Sequence, residues 1–167
     1  MVNKFKRWCT HTFTAPWRVR KLFPKTTLKA IEMAIQQSES HHSGELRFVI
    51  ENSLTSKQIW HGLLSRQRAL ELFSTLRVWD TEENSGVLIY LLLAERTVHI
   101  IADRGINKKV EQSQWDSIVQ AMQQAFRQGD FQRGSLIGIE QITALLTQHF
   151  PANADNPNEL PDAPVIL

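Results

Sequence analysis

The chain has 167 residues, of which 42% are hydrophobic and 22% charged, as expected for a globular protein with one core. Its longest apolar run is much shorter than the roughly 20 residues that a membrane-spanning helix requires, and charges interrupt the N-terminus where a signal peptide would be apolar. The single cysteine, Cys9, excludes an internal disulfide. We therefore expect a soluble cytoplasmic protein, whose contact with the inner membrane is at most peripheral.

Residues 1–23 are predicted to form a basic, aromatic N-terminal arm. Residues 1–31 carry eight of the 19 lysines and arginines and no acidic residue, so the rest of the chain is acidic. Basic residues interspersed with aromatic rings suit an anionic membrane surface or a membrane-associated protein. The alternatives are that the arm packs on its own acidic body, or, least favoured, that it stacks on nucleic acid. The residues predicted to contact a partner are Trp8, Trp17, Arg18, Arg20 and Lys21.

Residues 24–150 are predicted to form one α/β domain, and residues 151–167 an extended C-terminal tail. Four segments have the apolar spacing of amphipathic helices, namely residues 24–42, 55–78, 110–127 and 131–149. The second segment is interrupted near Gly62, and Asp130 is a natural N-cap for the last one. Residues 45–51 alternate in polarity in the manner of a half-buried strand.

The segment 79–105 is predicted to form a central β-hairpin. It contains two apolar runs, Val87–Ala94 and Val98–Ala102, which are bounded by polar residues. Apolar runs of this length that are rich in valine and isoleucine favour buried strands over a single helix. Glu95 and Arg96 separate the runs, so we expect them to form a two-residue hairpin loop.

This loop determines which residues meet at the far end of the hairpin. It places Asp103 opposite Leu88, so the polar segment 80–84 and Asp103 are expected at the same end of the sheet. A right-handed helical crossover makes strand 45–51 parallel to the first hairpin strand. Glu45 is then expected at the same end of the sheet.

Oxygen-bearing side chains converge at this predicted sheet end and suggest a calcium or magnesium site. The predicted ligands are Asp80, Glu82, Asn84 and Asp103, with Glu45 and Asp130 as further residues considered for the site. Arg104 and Arg77 are predicted to contact phosphate or another anion. The alternative is an ordinary solvated acidic loop, with Arg104 in a surface salt bridge. No catalytic residue is predicted, since GxSxG, HExxH and phosphate-binding glycine-rich motifs are absent from the sequence.

Several sequence features together resemble the TPM domain family. They are GELRFVIE, an acidic residue before the Gly-Val-Leu strand start at residues 86–88, Arg96 at the hairpin tip, and FRQGDFQRG late in the chain. The resemblance covers about residues 25–150 and implies a three-layer α/β/α sandwich around a small mixed β-sheet. It also implies calcium or another divalent ion near the strand ends. Phosphatase activity is attributed to some members and a role in membrane-protein assembly to others.

We therefore expect a TPM-like divalent-cation-binding module that is non-catalytic or weakly catalytic and acts with membrane-associated partners. It resembles the short bacterial branch of the family, which has neither a signal peptide nor a C-terminal membrane helix. Two alternatives remain open at this point. One is a metal-dependent phosphatase, and the other is a membrane-surface adaptor that uses the basic arm.

Overall fold

Four strands form one mixed sheet in the computed structural model, which describes residues 4–152 and 157–167. In chain order the strands are β1 (Glu45–Glu51), β2 (Gly86–Leu92), β3 (Thr97–Ala102) and β4 (Val165–Ile166). Their order in the sheet is β3-β2-β1-β4. Strand β1 is parallel to both β2 and β4, whereas β2 and β3 form an antiparallel hairpin. The predicted parallel pairing and the predicted central hairpin are therefore confirmed.

Helices account for most of the remaining described residues. In chain order they are α1 (Lys4–Thr12), α2 (Trp17–Leu22), α3 (Lys25–Glu39), α4 (Ser56–Trp60), α5 (Ser65–Thr75), α6 (Arg104–Asn107), α7 (Gln112–Arg127) and α8 (Phe131–His149). The predicted break in the second helical segment is confirmed, because Gly62 adopts a left-handed φ of 78° between α4 and α5. Helices α1, α2 and α6 were not predicted. None of the described helices is both long and apolar enough to cross a membrane.

The sheet separates two hydrophobic cores. Successive residues of a strand point to opposite faces, and β2 is buried on both of them. Val87 and Ile89 join the cluster formed with α3, α7 and α8, whereas Leu88 and Tyr90 join the cluster formed with α4 and α5. This arrangement explains the uninterrupted apolar sequence of β2 and confirms the three-layer α/β/α sandwich.

The hairpin loop comprises four residues, 93–96, so the predicted two-residue loop at Glu95 and Arg96 is wrong. Leu92 pairs with Thr97 at the end of the hairpin ladder. The backbone amides of the next two residues, 93 and 94, instead donate hydrogen bonds of 3.0 Å to carbonyls at the end of β1. These bonds remove both residues from the hairpin. The register shifts by two positions, so every side chain keeps its predicted face.

The C-terminal tail supplies the fourth strand, which the sequence did not predict. The Leu167 amide donates to the Ile50 carbonyl at 2.9 Å, and the Leu167 carbonyl accepts from the Asn52 amide at 3.0 Å. Leu160 is buried in the core on the α4–α5 face. The tail therefore covers one edge of β1 and part of one sheet face.

The N-terminal arm is docked on the domain through α1. Glu95 accepts hydrogen bonds from Arg7 Nε at 2.6 Å and pairs with His11 Nε2 at 2.9 Å, and His11 is buried. Trp8 Nε1 donates to Ser56 Oγ at 3.0 Å. These contacts correspond to the alternative in which the basic arm folds back on its own body.

Candidate cation site at the Asp103 end of the sheet

Two loops meet where β2 begins and β3 ends. The Asp103 amide donates to the Gly86 carbonyl at 2.9 Å, so Asp103 lies across from Gly86 and not, as predicted, from Leu88. The Gly105 amide donates to the Asn84 carbonyl at 3.1 Å. The loop that follows β3 is thus in direct contact with the acidic loop that precedes β2.

Asp103 has the most unusual environment of the predicted ligands. Its side chain caps the short helix α6, with Oδ1 accepting from the Arg104 amide at 2.6 Å. The residue is only 8% exposed, and within the described part of the chain Oδ2 is buried without a hydrogen-bond partner. Leaving a buried polar atom unsatisfied costs about 1–3 kcal/mol, and more for a charged one. A carboxylate oxygen held in this way fits a cation ligand.

Asn84 and Gly105 fix the contact between the two loops. Asn84 has a φ of 53°, a left-handed conformation that asparagine tolerates better than most residues. A Cβ atom at Gly105 would lie 2.6 Å from the Asn84 carbonyl oxygen and 2.7 Å from that of Glu83, so the close approach requires glycine. The Asn84 side-chain oxygen accepts from Arg104 Nε at 2.8 Å. Arg104 therefore bridges the two loops through the side chain of Asn84.

The remaining predicted ligands lie on the exposed part of the acidic loop. Asp80 and Glu82 are exposed, and the Asp80 amide closes a turn on the Arg77 carbonyl at 2.9 Å. The Glu82 amide donates to the Glu159 carboxylate of the tail at 3.1 Å. In residues 4–152 and 157–167, no three His, Cys, Asp or Glu side chains are placed to hold a metal ion together. The two loops thus meet at one rim of the sheet, but within the described residues their acidic side chains are not assembled into a coordination shell.

A group of buried carboxylates lies beside this rim, under the C-terminal tail. Glu45 is 1% exposed, and its Oε2 accepts from the Leu160 amide at 3.0 Å. Burial raises the pKa of Glu45 to about 7. Burial likewise raises the pKa of Glu39 to about 9, and Glu39 Oε1 accepts from the Leu46 amide at 3.0 Å. Glu45 therefore binds the tail. The sequence carries no signal for Glu39, since Glu39 is one of several polar residues near the end of a helix.

Asp130 lies elsewhere. It caps α8, with Oδ1 accepting from the Arg133 amide at 3.0 Å, as the sequence predicted. Its neighbour Gly129 lines a cavity together with Arg96 of the hairpin loop, which is the opposite end of the hairpin from Asp103. The fold therefore does not bring Asp130 to the candidate cation site.

Comparisons with known proteins identify the family. No curated protein sequence matches this chain. Among solved structures, the chain is similar to the NMR structure of the BA42 protein from the psychrophilic bacterium Bizionia argentinensis sp. nov.. The two share 33% sequence identity and a TM-score of 0.76, over 85% of this chain and 93% of that chain. Residues 19–145 match the TPM domain, and the chain therefore belongs to the TPM domain family.

Proposed function

We propose that this TPM domain binds a divalent cation, calcium or magnesium, at the Asp103 end of the sheet and has little or no catalytic activity of its own. The observation that carries the proposal is the buried, unpartnered Oδ2 of Asp103. Asp103 would hold the ion, and the Glu83 and Asn84 carbonyls at the same rim are of the ligand type that calcium accepts.

The exposed acids would complete the site. Asp80 and Glu82 project from the loop that contacts residue 105, and neither side chain forms an ion pair with another residue in the described part of the chain. Carboxylates that must reorient before they bind reduce the affinity, because their ordering has an entropic cost. We therefore expect weak binding, with a Kd on the order of 10⁻⁴–10⁻³ M for calcium.

Thermal unfolding with and without calcium or magnesium tests the proposal. Free metal at about ten times its Kd should stabilise the fold by about 1.4 kcal/mol. For a domain of this size that corresponds to a rise in Tm of about 3–5 °C. Asp103→Asn should remove the rise, whereas Asp116→Asn, an exposed acid on α7, should retain it. An unchanged wild-type Tm, or an equal rise in Asp103→Asn, would contradict the proposal.

The metal-dependent phosphatase is the alternative that shares this site. It is favoured by Arg104, whose exposed guanidinium group lies at the same rim as Asp103. An aryl phosphate assayed in the same samples separates the two functions. Metal-dependent hydrolysis that disappears in Asp103→Asn and weakens in Arg104→Gln would support the phosphatase. Metal binding without hydrolysis would support the non-catalytic module.

A role with a membrane-associated partner is supported by the outer surface of the arm. Phe5, Phe13 and Trp17 are 62%, 80% and 63% exposed, the basic residues Arg20 and Lys21 are exposed as well, and Lys21 Nζ lies 5.7 Å from the centroid of the Trp17 ring. Aromatic rings and basic side chains in this arrangement suit an anionic lipid surface.

Sedimentation with vesicles tests this role. The protein should sediment with phosphatidylglycerol vesicles but not with phosphatidylcholine vesicles, and the double variant Phe13→Ser/Trp17→Ser should lose most of the binding. Trp60→Ser is the matched control, since Trp60 is 54% exposed on α4. Deleting the arm is a poor test because Val19 and Phe23 belong to the core. Equal binding by the double variant would exclude the aromatic surface.

A further inference from the structure

A cavity of about 620 Å³ lies between α2, the hairpin loop and the turn that joins α7 to α8. Its volume is within the range of small-molecule sites, which is about 300–1,000 Å³. The apolar part of its wall is formed by Leu22, Leu91, Leu93, Val98, Phe126 and Phe131. The cavity is at the opposite end of the hairpin from Asp103, so it is distinct from the candidate cation site.

Three arginines, Arg18, Arg96 and Arg127, also line this cavity, and no acidic residue does. None of the three takes part in an ion pair within residues 4–152 and 157–167. Guanidinium groups bind carboxylates and phosphates through paired hydrogen bonds, so three of them around one cavity favour an anionic ligand.

The nearby acids are engaged elsewhere and do not neutralise these arginines. Glu95, the neighbour of Arg96 in the hairpin loop, is bound to Arg7 and His11. Asp130 caps α8. The cavity therefore combines an apolar wall with positive charge that no acidic side chain of the described residues neutralises.

We propose that this cavity binds an anionic amphiphile, a molecule with one aliphatic chain and a carboxylate or phosphate head group. The leucine and phenylalanine side chains would bury the aliphatic chain, which is favourable in proportion to the apolar area removed from water. The head group would lie among the three arginines and accept hydrogen bonds from them. The ligand would thus be held between the arm and the domain, because Arg18 and Leu22 come from α2 and the other lining residues from the domain.

NMR titration of the ¹⁵N-labelled full chain tests the proposal. Dodecyl phosphate and dodecanoate, each kept below its micellar concentration, should shift the amide signals of residues 18–22, 91–98 and 123–131. Three matched probes serve as controls. Dodecyl maltoside has the chain without the charge, and dodecyltrimethylammonium has the chain with the opposite charge. Inorganic phosphate has the charge without the chain. Each should bind at least tenfold more weakly, and equal binding of any one of them would overturn the proposal.

Variants locate the binding. Replacing Arg18, Arg96 and Arg127 together by glutamine should weaken dodecyl phosphate binding by a factor on the order of 10² or more, since hydrogen bonds to charged groups are among the stronger ones. Arg20→Gln is the matched control, because Arg20 is an exposed arginine of α2 that does not line the cavity. Undiminished binding by the triple variant would overturn the proposal.

A second variant fills the cavity without changing its charge. Gln123 lines the cavity from α7 and is half-buried, so the larger tryptophan side chain of Gln123→Trp should occupy part of the cavity. The variant should bind both amphiphiles more weakly, and its NMR spectrum should remain as dispersed as that of the folded wild type. Phosphatidylglycerol vesicles distinguish the source of the ligand. In the Phe13→Ser/Trp17→Ser background, residual vesicle binding that Gln123→Trp reduces further would identify membrane lipid as the source, and the absence of any vesicle binding that depends on the cavity would identify a free amphiphile. Unchanged binding of dodecyl phosphate to Gln123→Trp would overturn the cavity as the site.

Discussion

Replacing Glu45 by glutamine should stabilise the protein at high pH and leave its stability at low pH almost unchanged. Glu45 lies in β1 under the C-terminal tail, and burial raises the pKa of its carboxyl to about 7. The nearby acids Glu159 and Asp162 act in the same direction. A glutamine retains a side-chain oxygen that can accept the hydrogen bond from the Leu160 amide, but it carries no charge at any pH.

The magnitude follows from the pKa difference between the folded and unfolded chain. A rise from 4.5 to about 7 is equivalent to about 3 kcal/mol, at 1.36 kcal/mol per pKa unit. Because the folded protein binds this proton more tightly, the stabilisation is fully present below the unfolded pKa of about 4.5 and is lost as the pH rises through 7. Glu39, with a pKa raised to about 9, adds a further loss of folding stability as the pH rises.

Urea unfolding at several pH values from about 5 to 8, followed by tryptophan fluorescence, measures this effect. The free energy of unfolding of Glu45→Gln should exceed that of the wild type by about 3 kcal/mol at the upper pH and by only about 1 kcal/mol at the lower one. Glu140→Gln is the matched control, since Glu140 is exposed on α8. Its stability should follow the wild-type pH dependence.

Hydrogen exchange locates the effect in the tail. The Leu160 amide, which binds the Glu45 carboxylate, should lose protection in the wild type as the pH rises, after correction for intrinsic exchange, and should keep it in Glu45→Gln. A Glu45→Gln protein that is less stable than the wild type at high pH would refute the reasoning. The reasoning would also be refuted if the free energies of unfolding of the two proteins differed by the same amount at both ends of the pH range. The buried carboxyl would then not titrate above its ordinary pKa.

Two further predictions concern the loop contact and the arm. Gly105→Ala should cost about 1–3 kcal/mol of stability in urea unfolding and should weaken calcium binding, because its Cβ would lie 2.6 Å from the Asn84 carbonyl oxygen. A Gly105→Ala protein with wild-type stability and affinity would show that the two loops separate readily. Glu95→Gln removes the carboxylate that binds Arg7 and His11, so amide exchange in residues 4–12 should accelerate while that of β2 is unchanged. Unaltered exchange in α1 would mean that apolar packing alone holds the arm.

The main helices and the three longer strands of the domain, in their order along the chain, follow from the amino-acid sequence alone. The apolar run of β2 predicted a strand buried on both faces, and helical periodicity located α3, α5, α7 and α8. The short polar break after that run predicted the hairpin, and the helical crossover predicted the parallel pairing of β1 with β2. These features are encoded by the spacing of apolar residues near one another in the chain. The contact between the loops at Asn84 and Asp103 followed from the same pattern.

Which polar residues are buried, and what they bind, depends on contacts that form only in the folded chain. The hairpin loop has four residues because the amides of Leu93 and Ala94 bind the end of β1, some forty residues away in the chain. Glu45 is buried because a tail more than a hundred residues later covers it, and nothing in its local sequence indicates that cover. The same holds for the docking of α1 on Glu95 and for the arginine-lined cavity. Each depends on segments that meet only after folding, whereas periodicity reports only which face of an element is apolar.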